Sequence, residues 1–219
     1  MKNSIKSYSK ARSRFSIKNK KILSSAEENI FFREDNFRDF KNLFDNPSKL
    51  NLEIGFGDGK YLVRQALSNP KELFIGIEVF ESGLANTYKR ILELELFNIR
   101  LIQGDIKEIL QKNKSKKLFD LISIFFPDPW PKSKHKKRRL LKNNFLINLQ
   151  SLLKKQGQII IKTDWQDYAE EITDTLDNLN FKYIQSSERS DTKDFITKYE
   201  EIALKAKREI TKFEIHSIN

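Results

Sequence analysis

Residues 50–62 read LNLEIGFGDGKYL, and this stretch decides the architecture. Leu50–Ile54 is an apolar run of strand length. It runs straight into Gly55, Gly57 and Gly59, and Lys60–Ser68 then carries helical spacing. Glycine lets the backbone turn sharply and approach a ligand closely. The spacing is G-x-G-x-G, not the G-x-G-x-x-G of dinucleotide enzymes. An ordinary tight turn is the alternative, but a strand before it and a helix after it favour a ligand-binding turn.

Working outward, short apolar runs alternate with longer amphipathic ones. Strands are expected at Leu73–Ile77, Ile99–Ile102, Phe119–Phe125 and Gln158–Thr163, with further candidates at Phe181–Gln185 and Lys212–His216. Helices are expected at Ser82–Leu96, Ile106–Leu110, Arg139–Leu153 and Trp165–Leu179. The pattern is that of an α/β, Rossmann-like fold: a mostly parallel seven-stranded sheet with helices on both faces. Phe119–Phe125 is apolar on both faces, which marks a central strand.

The 219 residues suit one domain, 29–219, preceded by a basic flexible arm, 1–28. The absence of cysteine excludes disulfides, thiolate nucleophiles and cysteine zinc sites, and two histidines make a histidine metal site unexpected. No apolar run reaches membrane-spanning length, and the basic N-terminus lacks the apolar core of a secretory signal. A cytoplasmic location fits. The net charge of +11 is unevenly spread. Residues 1–26 hold eight Lys/Arg and no acid; residues 132–139, KSKHKKRR, hold six and no acid. Without them the remainder is net acidic, so the cations form two segments, as on a polyanion-binding surface. A solvated tail and loop are the plainer alternative.

Three acids fall at successive strand ends: Glu53, Glu78 and Asp105. Ligands bind at that edge of such sheets. Glu78 has the position of an acceptor for ribose hydroxyls. Asp105 is either an acceptor for an adenine amine or a helix N-cap. No phosphate-gripping motif is present, so a cofactor without phosphates is expected, and S-adenosyl-L-methionine fits.

After the fourth strand comes FFPDPWPKSKHKKRR, residues 125–139. Pro127 and Pro131 bracket Asp128-Pro129-Trp130, so few conformations are open to this loop. A rigid acid beside the cofactor edge, an aromatic and then cations suit the presentation of a nucleobase to a methyl donor. Trp130 is either a stacking surface or an anchor for the loop.

With these motifs the sequence resembles the bacterial tRNA (guanine-N7)-methyltransferase family, from about Asn29 to Glu214. LEIGFGDG, GIE, GD, PDPWPK and KTDW match in order and spacing. The resemblance implies a class I methyltransferase fold, S-adenosyl-L-methionine as cofactor, and guanine 46 of the tRNA variable loop as target. It also implies cofactor contacts by Glu53, Gly55, Gly57, Gly59, Glu78, Asp105 and Asp128, with Asp128 at the catalytic centre. Lys132 and Asp164 would bind the target RNA, and Thr197, Lys198, Tyr199 and Glu200 would form a further substrate segment. Lys134, His135, Lys136, Lys137, Arg138 and Arg139 would touch the tRNA backbone. Asp164 also has the position of a helix cap. Members often carry an arginine two residues after the Thr-x-x-Glu glutamate, where this chain has Ile202. A monomer or homodimer without an obligatory protein partner is expected. The rival readings are a noncatalytic RNA-binding protein on the same fold and a dinucleotide oxidoreductase; the glycine spacing disfavours the latter.

Overall fold

A computed structural model describes residues 6–8, 22–24, 30–32, 47–112, 117–188 and 197–218. Its strands are β1 (Phe31–Phe32), β2 (Leu50–Ile54), β3 (Leu73–Glu78), β4 (Ile99–Gln103), β5 (Phe119–Phe125), β6 (Leu153–Thr163), β7 (Tyr183–Glu188) and β8 (Ile210–His216). Its helices are α1 (Lys60–Ser68), α2 (Glu81–Glu93), α3 (Ile106–Lys112), α4 (Asn143–Leu152), α5 (Gln166–Asn178) and α6 (Lys198–Lys205).

The strands form one sheet in the order β1-β4-β3-β2-β5-β6-β8-β7. Pairing is parallel from β1 through β6, and β8 runs antiparallel to both neighbours. Seven strands of five residues or more make the expected sheet, and two-residue β1 extends one edge. From β2 the chain steps outward through β3 to β4, then returns to place β5 on the other side. The strand order therefore reverses between β2 and β5, and a crevice opens beyond their C-terminal ends.

Side-chain alternation sends each strand's apolar residues into two cores. Leu73, Ile75 and Ile77 of β3 join the cluster with α3, α4 and α5, whereas Phe74 joins the cluster with α1 and α2. A Cβ on Gly76 would lie 2.6 Å from Leu62 and 2.7 Å from Phe56, so this gap in β3 is what lets α1 pack so closely.

Besides β1, three elements differ from the sequence reading. Arg139 was expected to open a helix, but α4 begins at Asn143. Ser133–Arg138 is instead a 3-10 turn, and Arg139 is extended at φ −52 and ψ 137. Its guanidinium is drawn into partners on α5. Strand β6 starts early, at Leu153, through a register irregularity opposite Phe119–Leu121. Helix α6 was not expected as a helix at all. Most of the arm 1–28 lies outside the described residues. Of its described parts, Ile22 and Leu23 pack against the second core and Ser7 and Tyr8 line the crevice.

Candidate active site

The crevice holds a cavity of about 420 Å³, within the roughly 300–1,000 Å³ range of small-molecule sites. Gly55 and Gly57, the C-terminal end of β3, Gly104 and Asp105 just after β4, and the loop after β5 all line it. Four acids reach it: Glu78, Asp105, Asp128 and Asp164. Arg208 is the single Lys/Arg among the described lining residues, and it pairs with Asp164 at 2.6 Å.

Glu78 organises the glycine-turn end of the crevice. One carboxylate oxygen accepts from Gly57 N at 2.9 Å; the other accepts from Val79 N at 2.7 Å and Phe80 N at 3.0 Å. Burial pushes its pKa above the usual carboxylate range, against the three backbone donors that favour the anion; Asp128 pushes the same way as burial. Gly55 and Gly57 have φ of +73 and +59, with nothing within 4 Å of where a Cβ would stand. The start of α2 presses on this turn from behind: a Cβ on Gly83 would lie 2.1 Å from the Gly57 carbonyl oxygen. Gly83→Ala should therefore lower stability by about 1–3 kcal/mol and displace the turn. A denaturant melt paired with cofactor titration checks this; wild-type values in both would contradict it.

Asp105 serves as a cap, whatever else it does: its Oδ1 accepts from Lys107 N at 2.9 Å, while the residue lines the crevice. Asp164 does not cap α5, which starts without a side-chain cap; the Arg208 pair takes it instead. Trp130 is an anchor. Its Nε1 donates to the Ser7 carbonyl at 2.8 Å, the Arg138 guanidinium covers its ring at 3.8 Å, and His135 meets it edge-on. Arg138 also donates to the carbonyls of Lys6 and Tyr8, both at 3.1 Å.

The structure does not bring every expected residue to the crevice. Gly59 sits behind the turn, where a Cβ would lie 2.0 Å from Thr87 Oγ1. Glu53 points toward α1 and lines a cavity of about 40 Å³ with Tyr61 and Gln65, because alternation along β2 turns it from the crevice. It is 6% exposed, its Oε2 has no hydrogen-bond partner, and burial raises its pKa to about 8, with Glu78 adding to the rise. A carboxyl raised in the fold stabilises fully below its unfolded value near 4.5 and loses that contribution as pH rises through 8. Glu53→Gln should thus abolish a fall in stability on the order of a few kcal/mol between those pH values. Melts across that range test it, and parallel curves for the two proteins would refute it.

Arg139 is a correction to the expected tRNA backbone contact. It is 0% exposed, donates through Nε to the Pro129 carbonyl at 2.8 Å, pairs with Asp167 and Glu171, and lies over the Tyr168 ring. The last cation of the run thus holds the Asp128 loop from within. Lys136 pairs with Asp167 at 2.5 Å, whereas Lys132, Lys134 and Lys137 are exposed. His135 has a lowered pKa, from partial desolvation first and then from the cations around it. Thr197 and Glu200 are taken up by a reciprocal cap of α6: Glu200 N donates to Thr197 Oγ1 at 3.1 Å, and Thr197 N to Glu200 Oε2 at 3.3 Å. Glu200 is also paired with Lys162 at 3.2 Å. Lys198 is exposed, and Tyr199 alone of the four lines the crevice. Arg208, Phe80 and Phe126 were missed; no local motif marks them.

A family profile described as "Putative methyltransferase" matches residues 47–213. A tRNA (guanine-N(7)-)-methyltransferase of Mannheimia succiniciproducens is 38% identical over 181 residues, 83% of this chain and 69% of that protein. One of Nitrosococcus oceani is 44% identical over 130 residues, 59% of this chain but only 55% of that protein. Among solved structures, the 16S rRNA methyltransferase KamB aligns with TM-score 0.62 at 13% identity, covering 83% of this chain and 94% of KamB. That likeness establishes the class I methyltransferase fold. On the profile match and the identity to the first relative, the chain belongs to the tRNA (guanine-N7)-methyltransferase family.

Proposed function

We propose that the protein transfers a methyl group from S-adenosyl-L-methionine to N7 of a guanine in tRNA, at position 46 of the variable loop. One observation carries this reading: a glycine turn and four acids share a cleft with a proline-braced loop that continues directly into exposed lysines. The cleft suits that cofactor. Among the described lining residues acids outnumber cations, which favours a ligand carrying cationic groups and no phosphates. Ile54, Ile77 and Ile106 give apolar walls for an adenine, and Glu78 retains acceptor capacity for a ribose. The bound cofactor supplies an electrophilic methyl on sulfur.

The chain's own residues then orient and stabilise. Guanine N7 carries a lone pair, so no proton must leave before the N7–CH₃ bond forms and the S–CH₃ bond breaks. Positive charge passes from sulfur to the purine. Asp128, held on the braced loop, accepts from guanine N1–H and N2–H and stabilises the ring as it becomes cationic. No obligatory general base is needed. Lys132, Lys134 and Lys137 engage phosphates, leaving N7 open to react.

No helix among the described residues is long and apolar enough to cross a membrane. We further propose a cytoplasmic location and a monomer or homodimer. The test is incubation with unmodified tRNA and labelled methyl donor, followed by nucleoside analysis. 7-Methylguanosine at position 46 is expected. Cofactor and tRNA binding without product would favour the noncatalytic RNA-binding reading.

A further inference from the structure

Two aromatic rings meet beside Asp128 without joining either hydrophobic core. Phe126 directly follows β5 and has φ +50. Side chains rarely adopt that conformation, and proteins keep it mainly where surroundings and function require it. Its N–H donates to the Lys162 carbonyl at 2.8 Å, which locks the turn. Opposite stands Tyr199, at the start of α6. The Thr197–Glu200 cap and the Lys162–Glu200 pair fix that helix start, so both rings hang on Lys162: its carbonyl holds one, its ammonium the other.

The rings are nearly parallel, with planes 29° apart and centroids 6.4 Å apart. Both line the cleft with Asp128, and Tyr199 is 56% exposed although aromatic. Taking a flat ligand between them requires roughly 7 Å, two carbon contact distances of about 3.5 Å each. Because Tyr199 is exposed, rotation of its ring can open that space. The Tyr199 hydroxyl has its pKa raised, by burial first and then by Asp128, in keeping with their proximity.

We propose that Phe126 and Tyr199 are the aromatic pair that receives the target purine, stacking its plane beside the Asp128 carboxylate. The proposal rests on the methyl-transfer reading above and deepens it. Bases taken out of a nucleic acid are commonly held by stacking on aromatic side chains. Here stacking has a second consequence. The purine gains positive charge as the N7–CH₃ bond forms, and a π face attracts a cation. The pair therefore binds the transition state more tightly than the neutral base, and the gain appears in kcat.

The experiment uses the full chain, unmodified tRNA and S-adenosyl-L-methionine. Tyr199→Ala should lower kcat/KM about 5- to 150-fold, with kcat itself falling, while cofactor affinity by calorimetry and tRNA affinity by filter binding stay near wild type. Tyr199→Phe, which keeps the ring, should restore most of the loss. Tyr199→Leu, apolar but without a π face, should not. Phe126→Leu should mirror Tyr199→Ala; because Tyr199 is exposed, its variants decide the matter even if Phe126→Leu folds poorly. Wild-type kcat in Tyr199→Ala overturns the proposal, as does equal activity in the Phe and Leu variants, or a loss accounted for by weaker cofactor binding. Wild-type protein that forms no 7-methylguanosine sinks the underlying activity and the stacking role with it; product formed with unaffected variants sinks the stacking role alone.

Discussion

Asp128→Asn is expected to slow methyl transfer about 100- to 1,000-fold while tRNA and cofactor still bind. The substitution keeps the side chain's shape and removes its charge. The loop is held independently of that charge: Pro127, Pro129 and Pro131 restrict it, and Arg139 grips the Pro129 carbonyl from the interior. The position of residue 128 should accordingly survive. On the methyl-transfer reading, what is lost is a fixed anion beside a ring that turns cationic, an attraction that strengthens once the bound purine covers the exposed Asp128 from water. The measurement is the single-turnover rate with both substrates saturating, alongside calorimetry for each ligand. A rate unchanged in the variant would remove Asp128 from the mechanism.

The second large effect belongs to Glu78→Ala. Three backbone N–H groups converge on this carboxylate, from Gly57, Val79 and Phe80. Hydrogen bonds to a charged group contribute about 1.5–3 kcal/mol each, so the glycine turn loses its tether to β3. Cofactor affinity should fall at least about 100-fold, which corresponds to about 2.7 kcal/mol. The effect on folding should be smaller. Burying this carboxylate is itself costly, as its raised pKa records, and alanine removes that cost along with the bonds. Calorimetric titration should show the large change and thermal melts the modest one. Near-normal cofactor affinity would mean that the turn stands without Glu78.

These expectations draw unequally on sequence and structure. The parallel strands, the glycine turn and the acids at the ends of β3 and β4 were legible because each is a local pattern: a run of apolar residues, a turn, a periodic helix. Asp128 was legible because its neighbours Pro127 and Pro129 announce a constrained loop. Glu53 misled for a local reason too: standing two residues before Gly55 suggested the crevice, but alternation along β2 turns its side chain toward α1.

The basic run illustrates the limit. KSKHKKRR looks like one continuous polyanion surface, and for Lys132, Lys134 and Lys137 the structure leaves the side chains exposed. Arg139 differs because Asp167 and Glu171, 28 and 32 residues later, stand where α5 crosses behind the loop. Arg138 differs because residues 6–8 fold back more than 120 positions to meet it. In the same way Thr197 and Glu200 carry the letters of a substrate motif, yet they cap α6 and leave Tyr199 to face the cleft. The amino-acid order by itself determined the layered sheet, the crevice at its strand-order reversal and the acids at its rim, since these follow from periodicity and chain connectivity. Only the tertiary structure decided which cations face solvent, which carboxylate is turned away and which aromatic rings meet, because each depends on a partner that is near in space and distant along the chain.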